Sequence, residues 1–260
     1  NNGVSNIVDS PEIPYTAFNP STEFETLNAI LTVSIGDTIA FTIHNNDSLM
    51  HGFNIKNVTV PGGPYTIAPG DFITVDVPFE NYGAYIYYDD YNYPHFKSLG
   101  AAGTIMVGNT EHPLFYWNMK EHDKTWNVAT TEGVYGPIED YAPLYFTING
   151  LSNPETQDDP LSRITGNVGD TLVVCIANTG QMTHSIHFHG YHATITYSSA
   201  NPGHIHRIKD TFPVQEMETI LVYLVPDKIG KYPVHDHNLV ATTGNLVYPN
   251  GMFTTLDIKE

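Results

Sequence analysis

Thirteen histidines stand in this chain of 260 residues, and most of those in its second half fall into two clusters. One reads His184-Ser-Ile-His187-Phe-His189-Gly-Tyr-His192, and the other, near the C-terminus, Val234-His235-Asp236-His237. Successive side chains of an extended strand alternate between faces, so His187 and His189 share a face, as do His235 and His237. Two such strands side by side aim four imidazoles at one point, where a metal takes ring nitrogens at about 2.0 Å. Neutral imidazole suits Cu, Zn, Ni and Fe, and by affinity alone Cu(II) outranks Zn. Asp236, on the face opposite its two neighbours, is expected to accept a hydrogen bond from His184 or to orient the ligands.

The remaining composition narrows the chemistry. The only cysteine is Cys175, inside the apolar run Thr171-Leu-Val-Val-Cys-Ile-Ala177, so a disulfide within the chain and a thiolate cluster are both excluded. Cys175 itself reads as a buried strand residue. Ten Lys and Arg against 28 Asp and Glu leave a formal charge of −18, which repels nucleic acid and anionic membranes. No apolar run approaches the roughly 18 residues of a membrane helix. The sequence begins at Asn1 without a methionine or a charged-then-apolar leader, from which we expect either a truncated sequence or a signal peptide already removed, the latter with an extracellular, periplasmic or cell-surface location.

The elements that must position these histidines are strands. Ala29–Val33, Thr38–Ile43, Phe72–Val77 and Leu221–Val225 are short, rich in β-branched and aromatic residues, and bounded by Gly, Pro, Asn or Asp. The chain also repeats itself. Ile35-Gly-Asp-Thr-Ile39 matches Val168-Gly-Asp-Thr-Leu172 at an offset of 133, which also places Asn45 on Asn178 and His51 on His184. Later, Asp71-x-Ile73-x-Val75-x-Val77 matches Glu218-x-Ile220-x-Val222-x-Leu224 at an offset of 147, pairing Asp89 with Asp236. The second half therefore carries 14 extra residues between about His192 and Asp210, including the pair His204-Ile-His206. These patterns predict an all-β fold of two sandwiches, residues 1–110 and 143–260. Residues 111–142, of mixed polarity and holding both tryptophans, are expected to be a linker packed on both.

With the repeat established, the chain resembles a two-domain multicopper oxidase, the group that includes small laccases and, more distantly, copper nitrite reductases. The carrying residues are Tyr145-Phe-Thr-Ile-Asn-Gly150, Val168-Gly-Asp-Thr171, His184-x-x-His187-x-His189-Gly190, Lys209-Asp-Thr211, His235-x-His237 and Gly251-Met252. Domain 1 matches more weakly, through Ile35-Gly-Asp-Thr38, His51-Gly-Phe53 and Gly103-Thr-Ile-Met-Val107. The resemblance implies two tandem cupredoxin-like Greek-key β-sandwich domains, copper as cofactor, and a homotrimer with the site near a domain or subunit interface.

The same resemblance implies two kinds of copper centre, and the chain departs from both. Family members hold an electron-transferring type 1 copper on two His, a Cys and usually a Met, but Asp236 stands where that Cys belongs and Ala241 about where the second His would fall. His184 and Met252 still match. In domain 1, His51 holds the corresponding position and His95 is a candidate second ligand, yet Tyr88-Asp89-Asp90 replaces the Cys motif. Without a thiolate the strongly coupled blue centre cannot form. Of the eight imidazoles of a trinuclear cluster, His187, His189, His235 and His237 are present, while Asn54, Lys56, Tyr88 and Asp90 stand at the domain 1 positions.

The expectation is a copper oxidoreductase without type 1 copper, acting on a small substrate, inorganic nitrogen or oxygen species included, at a mono- or dinuclear site. A copper-binding or copper-handling protein without catalysis is the alternative, and a metal-free structural cupredoxin the third reading. His192, His204 and His206 are candidates to complete the coordination, face a neighbouring subunit or line the approach, and a loop with no ligand role is the competing view for His204 and His206. Tyr191, Asp236 and the inserted His204 and His206 are candidates for proton delivery. His44, His112 and His122 read as surface residues. Asp89 and Asp90 read as a turn with a solvated edge, a His51, Asp90, His95 metal site being the competing view.

Overall fold

A computed structural model describes residues 1–5, 12–108 and 110–260. The β-branched and aromatic runs form strands, alternating inward and outward over Thr38–His44 and buried almost throughout over Thr219–Leu224. The first half contains β1 (Asn2–Ser5), β2 (Ile13–Thr16), β3 (Leu31–Val33), β4 (Thr38–His44), β5 (His51–Ile55), β6 (Tyr65–Ile67), β7 (Phe72–Pro78), β8 (Gly83–Tyr88), helix α1 (His95–Leu99) and β9 (Ala102–Val107). One sheet has the order β3-β9-β8-β5-β6, β4 pairs antiparallel with β7, and β1 pairs with β2. Val33, Phe53, Ile55, Val75, Val77, Ile105 and Val107 join β7 and the five-stranded sheet in one core.

The second half contains β10 (Leu114–His122), helix α2 (Lys124–Thr131), β11 (Tyr145–Ile148), β12 (Ile164–Asn167), β13 (Leu172–Asn178), β14 (His184–Phe188), β15 (Ala193–Ser198), β16 (Ile208–Lys209), β17 (Thr211–Val214), β18 (Thr219–Leu224), β19 (Gly230–Asp236) and β20 (Phe253–Lys259). Its sheets have the orders β11-β10-β13-β18-β15-β16 and β12-β20-β19-β14-β17. Ile186, Phe188 and Val234 of one sheet meet Trp117, Val174, Ile176 and Val222 of the other.

The repeat read from the sequence has a structural counterpart in two asparagines. The Asn45 side-chain amide donates to the carbonyls of Leu49 and Ile67, both at 2.8 Å. Asn178 donates in the same way to Met182 at 2.7 Å and Val214 at 2.9 Å. Each closes the turn that leads into the histidine-bearing strand.

The stretch expected as a linker differs from that expectation. Leu114–Met119 of β10 runs parallel to β13, and Met119–His122 pairs with β11, so this part of the stretch lies within the second sandwich. Its mixed polarity has a physical origin: Lys120, Glu121 and His122 are buried. His122, expected at the surface, is 0% exposed, and burial followed by repulsion from Lys120 pushes its pKa down to about 3.

The two halves share a small apolar cluster of Ala84, Met106, Tyr116, Cys175 and Leu221. Lys97 reaches across to donate to the Gly180 carbonyl at 3.0 Å and to Glu216 at 2.8 Å. Cys175 is fully buried in this contact, and burial raises its thiol pKa. No helix among the described residues is long and apolar enough to cross a membrane.

Candidate metal centre

Strands β14 and β19 lie side by side with His187 opposite His235 and Ile186 opposite Asp236. His184, Ile186 and Phe188 point into the sandwich, which turns His187 and His189 to the other face. On β19 the same alternation buries Val234 and Asp236 and turns out His235 and His237. The four outward imidazoles meet. Ring centroids are 4.6 Å apart for His187 and His189, 5.0 Å for His189 and His235, 5.4 Å for His187 and His237, and 5.7 Å for His187 and His235.

Two of the rings are oriented by their Nδ1 atoms. His187 Nδ1 lies 2.7 Å from the Thr211 hydroxyl, and His235 Nδ1 lies 2.8 Å from the Asp236 carbonyl. A hydrogen on Nδ1 in each leaves the Nε2 lone pair free to bind a metal. The His189 and His235 Nε2 atoms are 2.9 Å apart, close to the spacing of two ligands in adjacent positions about 2.0 Å from one ion. Burial, then the neighbouring imidazoles of His187, His235 and His237, lower the His189 pKa and favour its neutral, ligating form. Among the described residues no three donors already converge on a single ion. The arrangement is a pair of close nitrogens flanked by two further rings. This all-imidazole donor set fits copper.

The inward side of the same strands carries a second assembly. His184 Nδ1 lies 2.5 Å from Asp236 Oδ2, the contact expected from the sequence, and His184 Nε2 lies 3.0 Å from Glu121 Oε2. All three groups are 0% exposed. Burial opposes charge on the imidazole, but hydrogen bonds to the two carboxylates outweigh it and raise the His184 pKa to about 9. Burial likewise opposes charge on Glu121, yet the bonds from His184, Gln181 N and Met182 N hold its pKa below the usual value. Glu121 escaped sequence reasoning because no spacing relates it to the histidine clusters. Its one signal is a carboxylate within a strand that is otherwise largely apolar.

The domain 1 counterpart is built alike. His51 Nδ1 lies 2.5 Å from Asp89 Oδ2 and His51 Nε2 2.6 Å from Asp47 Oδ2. Asp89 is fully buried and does not form the solvated turn edge expected of it. Asp90 instead accepts from Asn54 at 3.1 Å. His95 does not join His51: its ring stacks on Trp126 at 4.6 Å, and its nitrogens face the carbonyls of Asn92 and Gly136.

Other candidates also lie away from the four rings. Tyr191 packs in the core against Tyr232, its hydroxyl donating to the Lys228 carbonyl, so it is not placed to deliver protons to the four rings. His192, His204 and His206 lie around β15 and β16, on the other sheet, and none makes a hydrogen bond or ring contact with the four rings among the described residues. Met252 is fully buried in the core, where its carbonyl accepts from Asp236 N at 3.2 Å.

Comparison with solved structures gives the same two-sandwich architecture. The blue copper oxidase from Nitrosomonas europaea is 24% identical, with a TM-score of 0.82 over 99% of this chain and 82% of that one. The multicopper oxidase mgLAC is 22% identical, with a TM-score of 0.80 over 95% and 80% of the two chains. The copper nitrite reductase from Nitrosomonas europaea is 15% identical, with a TM-score of 0.70 over 90% and 84%. A comparison with curated proteins gives no match. The multicopper oxidase family model matches residues 120–249, half of the chain and the half that carries all four outward histidines. This chain therefore belongs to the multicopper oxidase family of copper-dependent oxidoreductases.

Proposed function

We propose that the chain is a copper oxidoreductase without a type 1 centre, in which a small molecule meets copper held by His187, His189, His235 and His237. Inorganic nitrogen and oxygen species suit such a site. The observation that carries this reading is the division of labour across β19, with two outward imidazoles flanking one inward carboxylate. In the place of a copper-binding thiolate, Asp236 is tied to His184. Cys175, the only thiol, lies in the inter-domain contact and not beside the histidines.

When bound there, copper supplies one-electron chemistry to the substrate. The protein's part is orientation. Thr211 and the Asp236 carbonyl fix two rings, while the face of Phe253 stacks on His235 at 6.0 Å and limits its rotation. Asp236 is not placed to deliver a proton, because it is buried and its oxygens accept from His184, Ser185 N and Asn238 N. Three imidazoles with an open position would serve catalysis, whereas a saturated four-imidazole shell would suit a copper-handling protein. A pair of close nitrogens flanked by two further rings accords with a mono- or dinuclear site, to which a second copy in a homotrimer could add donors. Residence outside the cytosol accords with the family.

Metal analysis of copper-loaded His187→Ala and His237→Ala tests the site. Each variant is expected to lose most of its bound copper, and the loaded wild type to lack an intense blue thiolate band. Unchanged copper in both variants, or a strong blue band, would sink the reading.

A further inference from the structure

The two pockets that hold His51 and His184 have been rebuilt to one plan, and the way they differ shows what the plan requires. In each, the histidine Nδ1 faces an aspartate Oδ2 at 2.5 Å. In each, the other aspartate oxygen accepts two backbone N–H groups, from Gly52 and Tyr91 in domain 1 and from Ser185 and Asn238 in domain 2. Each histidine Nε2 then meets a second carboxylate, but the two carboxylates come from different places. Asp47 lies in the turn before β5, whereas Glu121 lies on β10.

The position equivalent to Asp47 is Gly180. Both donate their backbone N–H to the turn asparagine, Asp47 to Asn45 at 2.9 Å and Gly180 to Asn178 at 3.0 Å. A Cβ on Gly180 would come within 1.9 Å of Glu121 Oε2. The glutamate thus fills the space that the aspartate occupies in domain 1. A second carboxylate reached by two routes at equivalent points indicates that the pocket needs the group and not a particular strand.

We infer that Glu121 is a positioning residue for the copper histidines, acting through His184 and Asp236. This rests on the reading of the four-histidine site given above. The β14–β19 ladder ends at the pair Ile186 and Asp236, and the last tie beyond it is His237 N donating to Ser185 O at 2.6 Å. The Asp236 carboxylate stitches Ser185 to Asn238 across this end, between the residues that carry the His235 and His237 rings. His184 holds that carboxylate in place, and Glu121 holds the His184 ring. Glu121 is itself fixed, with Oε1 accepting from Gln181 N at 2.5 Å and Met182 N at 3.0 Å. Buried charges of this kind persist only when all their hydrogen-bonding groups are met. Domain 1 is a built-in control, since the same device there flanks Tyr88 and Asp90 rather than imidazoles.

The test compares Glu121→Gln with Asp47→Asn in the full chain, reading the ring ¹⁵N and ¹H shifts of His187, His235 and His237 without copper, then copper affinity. Glu121→Gln should move the ring shifts and weaken copper about 10- to 100-fold. Asp47→Asn should do neither while lowering the melting temperature comparably. Unmoved rings in Glu121→Gln, or equal movement in both variants, overturn the proposal. If Glu121→Gln does not fold, Glu121→Ala with Gly180→Asp decides, because it supplies the carboxylate by the domain 1 route. Wild-type ring shifts uphold the proposal, and displaced shifts in a folded chain overturn it. Absence of copper from the wild type would defeat the copper reading alone, and the metal-free ring shifts would still decide the positioning role.

Discussion

His51 shows most simply what an imidazole does when two carboxylates grip it. Burial opposes its charge, but the hydrogen bonds to Asp47 and Asp89 outweigh that cost and raise its pKa to about 9. An unfolded histidine titrates near 6.5. The stabilisation from the pair of carboxylates is therefore full below about pH 6.5 and lost as pH rises through about 9. For Asp47, burial is likewise outweighed, chiefly by the bond from His51, and its pKa falls to about 2. That contribution is present above about pH 4 and fades as pH falls through 2. We expect His51→Gln to lower stability by on the order of 3 kcal/mol at pH 6, with the deficit shrinking above pH 9. Thermal melts of both proteins from pH 6 to 10 check this, and a gap independent of pH would refute it. The outward histidines were legible in the sequence because strand alternation is local. The second carboxylates were not, since Asp47 resembles any turn residue and Glu121 is brought to His184 from 63 positions away.

At the level of elements, β14 and β19 followed from period-two alternation, and the equivalence of Asn45 and Asn178 followed from the repeat. β10 did not. Its sequence, Leu114-Phe-Tyr-Trp-Asn-Met-Lys-Glu-His122, ends in three polar residues that resemble a surface connector until their partners are known. Lys120 donates to the Gly100 carbonyl at 2.8 Å, and Glu121 receives His184, so tertiary pairing and not local pattern buries them. The membership of β10 in the second core has a measurable consequence. Trp117 is 1% exposed, stacks on Phe188 at 5.8 Å, and donates its indole N–H to Ser162 O at 2.8 Å. Trp117→Ala should cost about 3–5 kcal/mol, as for other large buried aromatics. Because Phe188 lies between His187 and His189, the cavity should also weaken copper binding. Chemical denaturation reads the first effect and copper titration the second. A loss below about 0.5 kcal/mol would mean that β10 is the linker its composition suggests.

For the whole molecule, the pairing of the four rings and the surface around them bear on assembly. Leu239, Val240, Leu246, Val247 and Tyr248, which follow His237 in the chain, are all exposed, the last by 66%. Under the homotrimer proposed above, these exposed apolar residues on a chain otherwise so acidic are the surface expected to be covered. A second copy is the occupant that a homotrimer would supply. Each copy carries a formal charge of −18, so like-charge repulsion opposes the contact and salt relieves it. Sedimentation is therefore expected to show a species of about three times the 28.8 kDa chain mass, favoured as salt rises from about 0.05 to 0.5 M, where the screening length shrinks several-fold. Leu246→Glu with Tyr248→Glu should yield monomers, because each adds charge where apolar area must be buried. If the partner completes the copper site, those monomers should also bind copper more weakly although all four histidines remain. A chain that stays monomeric at high salt and binds copper fully would show that one copy suffices.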